Sequence, residues 1–550
     1  MQLRRLLDPG VRIESNIESS VDPESNVDPE ILSITADSRQ VEPGALFAAL
    51  VGSVADGRMF IDDAVKAGAA AVLADPSLEG RALGVPLVLD PEPRRRMALI
   101  AARFYEKQPR HVAAVTGTNG KTSVATFVRQ IWQALGRKAA SLGTLGLSAP
   151  GFEGKAGLTT PDPVRLHQLL AELADAGIDH LALEASSHGL DQHRLDGVRL
   201  RAAAFTNLSR DHFDYHGSVE AYFRAKARLF HELLPEGGHA VLNADIPEFS
   251  TLLGICKARG HEVTAFGEAG DGIKLMARRP RPDGQDLTLA IHGQVHEVAM
   301  PLVGGFQAEN LLAALGLVLA TTDRPVAEVV AALGLVRGAR GRLERVDTKD
   351  RGDTKDRGDT KDRGDTKDRG ETKDRGGSIP GFSVFVDYAH TPDALAHVLD
   401  ALRPHVDGEL AVVFGCGGDR DPGKRPVMGK IAVERADRVF ITDDNPRSED
   451  PAAIRRAIMK AAPGAIEVAD RADAIHLAVR KLDVGDVLII AGKGHETGQI
   501  VGSKVLPFDD AKVARAALAA RTGGGPGDLQ ALERASAVKR ARAFKRGSER

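Results

Sequence analysis

HVAAVTGTNGKTSVATFVRQIW, residues His111–Trp132, is the stretch on which the reading of this chain turns. An apolar run enters a glycine-rich turn and leaves into a helix-like run that opens with Lys121 and Thr122. Strand, turn and helix in that order make phosphate-binding architecture. Backbone N–H groups of Gly117, Thr118, Asn119, Gly120 and Lys121 can converge on phosphate oxygens at a helix N-terminus, where the peptide dipoles favour an anion. The Lys121 ammonium can reach the β- and γ-phosphates, and the Thr122 hydroxyl can ligate Mg²⁺. One position departs from the usual GxxxxGK[ST] spacing, since Val115 stands where that pattern has glycine. A chance Gly/Lys turn is the alternative, and strand, loop, Lys-Thr pair and helix together favour a nucleotide site over it.

Outward from it, short β-rich runs alternate with longer Ala/Leu-rich runs, which argues for α/β layers with mostly parallel sheets. Three blocks are expected: residues 1–108, 109–338 and 339–521, with Pro/Arg-rich or Gly/Arg-rich junctions. A length of 550 residues suits three or four domains. An apolar fraction of 43% and a charged fraction of 27% describe a globular protein, and a formal net charge of -3 gives no reason to expect nucleic acid or a membrane surface as partner. Small-molecule partners are expected instead. Cys256 and Cys416 are the two cysteines and lack CxxC spacing, so neither a disulfide framework nor a thiolate metal site is indicated. No signal-peptide pattern and no long apolar span is found, and a cytoplasmic location is the expectation.

Between the second and third blocks DTKDRG occurs four times from Asp347, followed by ETKDRG from Glu371. Each unit holds two acids, two bases and no apolar residue, so residues 347–376 can bury nothing and are expected to be a flexible insertion. The segment 522–550 is glycine-rich and then basic, and without interleaved aromatics it reads as a solvated, disordered tail.

The middle block also carries hard-metal donors. In HLALEASSHGLDQHRLDG a strand ends at Glu184, at the sheet edge where ligands collect, and a carboxylate there can hold Mg²⁺ beside a triphosphate. In AAAFTNLSRDHFDYHGSVEAYFRAKARLF a further strand leads to His212, with Lys226 on the following helix. Alone, such a His or Lys is usually structural or solvated. Together they raise the question of a second metal, because phosphoryl transfer to a carboxylate sets anion against anion.

TGTNGKT, EASSHGL and N-L-x-x-D-H-x-D with its downstream lysine resemble the central domain of the Mur ligases, ATP-dependent amide-forming enzymes of bacterial peptidoglycan synthesis. The resemblance implies a three-domain α/β architecture, with a central phosphate-loop ATPase domain and a Rossmann-like C-terminal domain. It implies ATP as co-substrate and two Mg²⁺ ions. Lys121, Glu184, His212 and Lys226 become the catalytic set; Thr122, Glu184, His212 and Lys226 become metal ligands, the lysine as an N6-carboxylysine carbamate. Gly117 to Thr122, Asn310, Arg342 and Asp387 become ATP contacts, the last two lying either side of the hexapeptide run. Ser38, Ser53, Val54 and Ala55 of the first block match uridine-side positions. Thr159, Thr160, Ser186, Gln192 and Arg194 match positions holding the muramoyl peptide, although TTPDP alone also reads as an ordinary N-cap and turn.

The third block carries FGCGGDRDPGKRPVMG, ITDDNPRSEDP and LIIAGKGHETGQ, each after a β-like run. Read by itself, the Asp443–Pro451 loop is open to three roles: metal site, zwitterion site or helix cap. The resemblance favours the second, because diaminopimelate-adding members carry Asp-Asn-Pro-Arg where lysine-adding relatives lack the arginine. Asp444, Asn445, Pro446, Arg447, Arg420, Gly492 and Glu496 are then the expected contacts to meso-diaminopimelate, Arg447 gripping the distal carboxylate in the bidentate manner of guanidinium. The implied reaction joins this amino acid to the γ-carboxylate of UDP-N-acetylmuramoyl-L-alanyl-D-glutamate through an acyl phosphate, in a monomeric enzyme. Two alternatives remain: a folylpolyglutamate synthetase, which lacks the first block and the Asp-Asn-Pro-Arg loop, and a non-catalytic nucleotide-binding scaffold.

Overall fold

The computed structural model describes residues 1–14, 28–52, 55–153, 157–209, 211–347 and 381–523. Ser53, Val54, the hexapeptide run after Asp347 and the tail after Gly523 lie outside the described residues. The chain divides into two compact units, one running to Arg337 apart from Pro280–Gln285 and Leu302–Gly305, the other comprising those two segments and the chain from Gly338 on.

The first unit contains two sheets. The smaller has the strand order Arg12–Glu14, Leu87–Leu89, Ala71–Ala74, Ala45–Ala48, Ser33–Thr35, antiparallel at the first pair and parallel thereafter. Its central strands ALFA and AVLA are buried throughout, as continuous apolar runs in parallel sheets must be. Alternate residues serve opposite faces: Leu46, Leu73 and Val88 pack with Ile100, whereas Phe47, Val72 and Leu87 pack with Ile61.

The larger sheet has eleven strands. Its parallel centre runs Ala139–Gly143, His180–Glu184, His111–Thr116, Leu200–Phe205, His239–Asn243, Glu262–Gly267. The chain leaves His111–Thr116 through the helix Lys121–Ala134 to one side of the sheet, and later fills the other side with Leu200–Phe205. The order therefore reverses beside His111–Thr116, and the crevice beyond its carboxyl end is where ligands bind in open α/β sheets. Register brings Glu184 beside Val115 and Phe205 beside Thr116, so three strand ends open onto one place.

The second unit is built on a six-stranded sheet ordered Glu344–Arg345, Ser383–Asp387, Val487–Ala491, Leu410–Phe414, Arg438–Ile441, Ile466–Glu467. Only the first pair is antiparallel. Val384, Val386, Ala411, Val413, Leu488 and Ile490 form its core with Ile475 and Leu518 from the flanking helices. A hairpin, Gly498–Val501 with Lys504–Pro507, follows the Val487–Ala491 strand.

Candidate active site

The phosphate loop is shaped by two glycines. Gly117 has φ +142° and a Cβ there would stand 2.0 Å from Thr206 Oγ1; Gly120, the N-cap of helix Lys121–Ala134, has φ +89° and its Cβ would stand 2.2 Å from Asn310 Oδ1. Any side chain at either position would both strain the backbone and collide. Asn310 is thereby packed on the turn it was expected to accompany. Thr206 donates to Asn119 O at 2.6 Å, Asn119 N donates to Asn207 Oδ1 at 2.9 Å, and Thr118 N donates to Asn207 O at 2.8 Å. Thr206 and Asn207 thus brace the loop, and the sequence reading missed both although it quoted their segment. Lys121 folds back, its Nζ donating to Gly117 O at 2.9 Å and Thr118 O at 2.8 Å.

Thr122 and Glu184, drawn from sequence segments far apart, meet: the buried hydroxyl donates to Glu184 Oε2 at 3.0 Å. Thr144, not anticipated, orients the carboxylate through its N–H to Oε1 at 2.9 Å and its hydroxyl to Oε2 at 3.1 Å. A glycine precedes it because a Cβ at Gly143 would lie 2.0 Å from Glu184 Oε1. From here a polar strip continues. Thr144 Oγ1 meets Thr159 Oγ1 at 3.0 Å, Thr160 Oγ1 donates to Glu184 O at 2.9 Å, and Thr160 and Ser186 hydroxyls are 3.0 Å apart. Arg194 donates to Thr160 O at 2.8 Å and to Gln192 Oε1 at 2.7 Å. All five residues expected to hold the muramoyl peptide thus form one run beside Glu184.

Lys226 lies on the helix Val219–Arg228, 1% exposed, its Nζ donating to Gly117 O at 2.7 Å and 4.4 Å from the centre of the Tyr222 ring. Burial, and then the nearby Lys121 ammonium, hold its pKa well below 10.5 against the pull of Asp211. His212 sits at φ +53°, its Nε2 3.4 Å from Asp211 Oδ2 and its ring edge-on to His188 at 4.9 Å. Among the described residues no three His, Cys, Asp or Glu side chains group as a metal site. The oxygen pair of Thr122 and Glu184 nevertheless suits a hard cation that keeps several waters.

In the first block, Ser38 opens a single 3-10 turn after Asp37, and Ala55 precedes the turn capped by Asp56. Ser53 and Val54 lie outside the described residues.

In the second unit, Asp387 ends its strand and accepts from Leu343 N and Ala389 N, each at 2.8 Å. Burial raises its pKa, opposed by Arg342, whose guanidinium lies 4.9 Å from the Tyr388 ring centre. The expected amino-acid loops share the carboxyl edge of this sheet. Asn445 Nδ2 donates to Glu496 Oε2 at 3.0 Å; Arg447 Nη1 donates to Gly418 O at 2.8 Å; Asp444 Oδ2 lies 2.9 Å from where a Gly492 Cβ would be, which explains that glycine. Pro446 is buried and its carbonyl crowds Gly418, while Arg420 is exposed at the tip of the neighbouring loop. Of the loop's three aspartates, two serve the fold: Asp443 pairs with Arg455, and Asp450 caps the helix Pro451–Met459, accepting from Ala452 N at 3.0 Å. The loop therefore contains a helix cap at one end without losing its polar face. Sequence reading missed Lys493, Arg471 and Asp510, buried behind this edge, where Arg471 bonds both Asp510 oxygens at 2.7 Å and approaches Asp444 Oδ2 at 4.0 Å.

Residues 30–105 match the family described as Mur ligase family, catalytic domain; residues 115–318 match the Mur ligase middle domain; residues 369–494 match the Mur ligase, glutamate ligase domain. The chain is 51% identical over 496 residues, 90% of its length and 96% of the relative's, to a UDP-N-acetylmuramoyl-L-alanyl-D-glutamate--2,6-diaminopimelate ligase of Bradyrhizobium diazoefficiens. It is 52% identical over 490 residues, 88% of its length and 94% of the relative's, to the enzyme of the same name from Caulobacter vibrioides. A solved structure bearing that name superposes with a TM-score of 0.66 at 32% identity, covering 90% of this chain and 96% of the other.

Proposed function

The chain belongs to the Mur ligase family, and on that premise we infer that it adds meso-diaminopimelate to the γ-carboxylate of UDP-N-acetylmuramoyl-L-alanyl-D-glutamate. It is an ATP-dependent amide-forming ligase of peptidoglycan precursor synthesis, with the three-part α/β architecture of that family. The family match of residues 30–105 favours this reading over a folylpolyglutamate synthetase, which is expected to lack that block. We assign residues 1–108 to the uridine nucleotide, 109–338 to ATP and 339–521 to the amino acid, in a monomer. No described helix is long and apolar enough to cross a membrane, and the use of ATP and a nucleotide-linked substrate supports a cytoplasmic location.

In this reading a glutamyl carboxylate oxygen attacks the γ-phosphorus of ATP and ADP leaves; the amine of diaminopimelate then attacks the acyl carbon and phosphate leaves. Loop N–H groups and Lys121 hold the transferring phosphate, the lysine exchanging its two carbonyl acceptors for phosphate oxygens. Thr159, Thr160, Ser186, Gln192 and Arg194 orient the acceptor peptide beside Glu184, which reduces the entropy lost in reaching the reactive pose. Thr122, Glu184, His212 and carbamylated Lys226 would hold two Mg²⁺ ions, which when bound screen the phosphate charge from the approaching carboxylate. The lowered pKa of Lys226 favours the neutral amine, the form that can combine with CO₂. Asp444 and Glu496 receive the distal ammonium and Arg447 the distal carboxylate.

The observation that carries this reading is the contact of Thr122 with Glu184 at the mouth of the loop, continuous with the strip that ends at Arg194. The test is phosphate release from ATP with the UDP-dipeptide and a panel of diaminopimelate, lysine and ornithine. Release should need both the dipeptide and an amino acid and should favour diaminopimelate. Equal use of lysine would overturn the amino-acid assignment, and release independent of the dipeptide would overturn the ligase.

A further inference from the structure

Lys493 is 0% exposed, two residues beyond the strand Val487–Ala491. Lysines are almost never fully buried unless paired, because an ammonium loses its hydration there. All three donors of this ammonium find acceptors: Asn445 Oδ1 at 2.8 Å, Gly498 O at 2.8 Å and Glu496 Oε2 at 3.3 Å. Three segments therefore meet at one charge: the Asp-Asn-Pro-Arg loop, the loop carrying Glu496, and the first strand of the hairpin.

Those segments carry the geometry of the pocket. Asn445 spends both ends of its amide inside the protein, accepting from Lys493 and from Ile500 N at 2.9 Å and donating to Glu496 Oε2 at 3.0 Å. It holds Glu496 rather than presenting its own amide. The hairpin grips Arg447 by its backbone, Arg447 N donating to Ile500 O at 3.1 Å and Gly502 N to Arg447 O at 2.7 Å. Arg447 has φ +51°, which a non-glycine residue keeps only when its surroundings over-determine it. Gln499 adds a bond from Nε2 to Asp444 O at 2.8 Å. Arg471 is committed to Asp510 by two bonds, so Lys493 is the counter-charge in contact with Glu496.

We propose that Lys493 is the positioning residue of the amino-acid pocket: it fixes the Glu496 carboxylate and, through Asn445 and the hairpin, the Arg447 backbone. Acceptor and guanidinium are then held a set distance apart, which measures the separation of the ammonium and carboxylate at the distal end of the incoming diamino acid. Both contacts to Glu496 fall on Oε2, leaving Oε1 as acceptor toward the substrate. The inference rests on the reading of these loops as the amino-acid site.

The test uses the full chain with Lys493→Met, Lys493→Arg and Gln499→Ala, measuring KM for each of the three substrates, the ratio of diaminopimelate to lysine use, and melting temperature. Lys493→Met should raise KM for diaminopimelate about tenfold or more and lower the ratio, with KM for ATP and the UDP-dipeptide within about twofold of the parent. Lys493→Arg should recover part of that loss, and Gln499→Ala should raise the same KM by a smaller factor. Losses spread evenly over all three substrates, or an unchanged KM for diaminopimelate, would overturn the proposal. If Lys493→Met does not fold, Lys493→Arg and Gln499→Ala decide by the same criterion. A parent enzyme without preference for diaminopimelate would defeat the proposed function, whereas a parent that prefers it beside an unaffected variant would defeat this inference alone.

Discussion

The loop after His111–Thr116 and the loop after Arg438–Ile441 are both bent turns at the carboxyl end of a parallel strand, yet their shapes are enforced in opposite ways. The first takes its bends from its own residues, since Gly117 and Gly120 adopt positive φ without strain, and Thr206, Asn207 and Asn310 close around bends already made. The second keeps an arginine at φ +51° through partners about 30 to 55 residues away, namely Gly418, Ile500 and Gly502. A turn coded by glycine needs its distant partners, here Thr206 and Asn207, only as braces. A turn coded by distant hydrogen bonds can be tuned from outside, as the proposed amino-acid pocket would require.

The largest effect should come from the first loop. If Lys121 holds the transferring phosphate as proposed, Lys121→Met should lower kcat by about three orders of magnitude with the protein still folded, as read by phosphate release and circular dichroism. Activity within tenfold of the parent would show that the loop acts by its backbone alone. Next comes the second loop. Arg447→Ala should raise KM for diaminopimelate about a hundredfold, ~3 kcal/mol, and barely move KM for ATP. Arg447→Gly sharpens the contrast: it loses the same guanidinium but relieves the positive φ, so its melting temperature should exceed that of the alanine variant, by about 1 kcal/mol in stability. Equal stabilities would mean that the backbone there is unstrained.

The same difference decides what the sequence disclosed. The phosphate loop, the strand ending at Glu184 and the parallel order of the sheets are local patterns, and they stand in the structure as read. The strip from Thr159 to Arg194 was legible only through family resemblance, because each of its hydroxyls alone is an ordinary turn residue. Lys493, Arg471 and Asp510 were not legible: a lysine two residues after a strand and an arginine at a helix start look solvated until the fold buries them together. Asn445 was read as a substrate contact, and its amide turns out to be engaged by Lys493, Ile500 and Glu496. Thr144 escaped because nothing in GTLGLS marks it as the residue that orients Glu184.

A smaller effect concerns the buried ionisable groups of each unit. Behind the second loop these are paired charges; the first unit buries the pair Arg228–Asp196 and, against it, a neutral imidazole: His167, 1% exposed, contacts Asp196 O at 2.9 Å. Burial lowers its pKa from 6.5 to about 4. Between those values the unfolded chain binds a proton that the folded chain does not, so this contribution is full above 6.5 and is lost as pH falls toward 4. The loss should be about 2 kcal/mol at pH 5, seen as a lower urea midpoint than at pH 7. His167→Gln should flatten that dependence, and an unchanged slope would assign acid sensitivity to other groups.

The smallest effect is expected from the hexapeptide segment, which lies in the sequence between Arg342 and Asp387, the second unit's proposed ATP contacts. Glu344 and Arg345 pair antiparallel with Val386 and Phe385, and Val346 N donates to Val384 O at 2.9 Å. Leu343 N reaches the Asp387 carboxylate on the same side. The described residues that flank the segment, Glu344–Arg345 and Ser383–Asp387, are therefore neighbours in one sheet, and an antiparallel pair needs only a short turn to close it. Deleting the five hexapeptides should leave kcat and every KM within about twofold. Closure entropy changes only with the logarithm of loop length, so stability should rise by no more than about 1.5 kcal/mol, a shift of a few degrees in melting temperature. A selective rise in KM for ATP on deletion would show that Arg342 and Asp387 depend on distant chain, as Arg447 does, and would move them to the tuned side of the contrast.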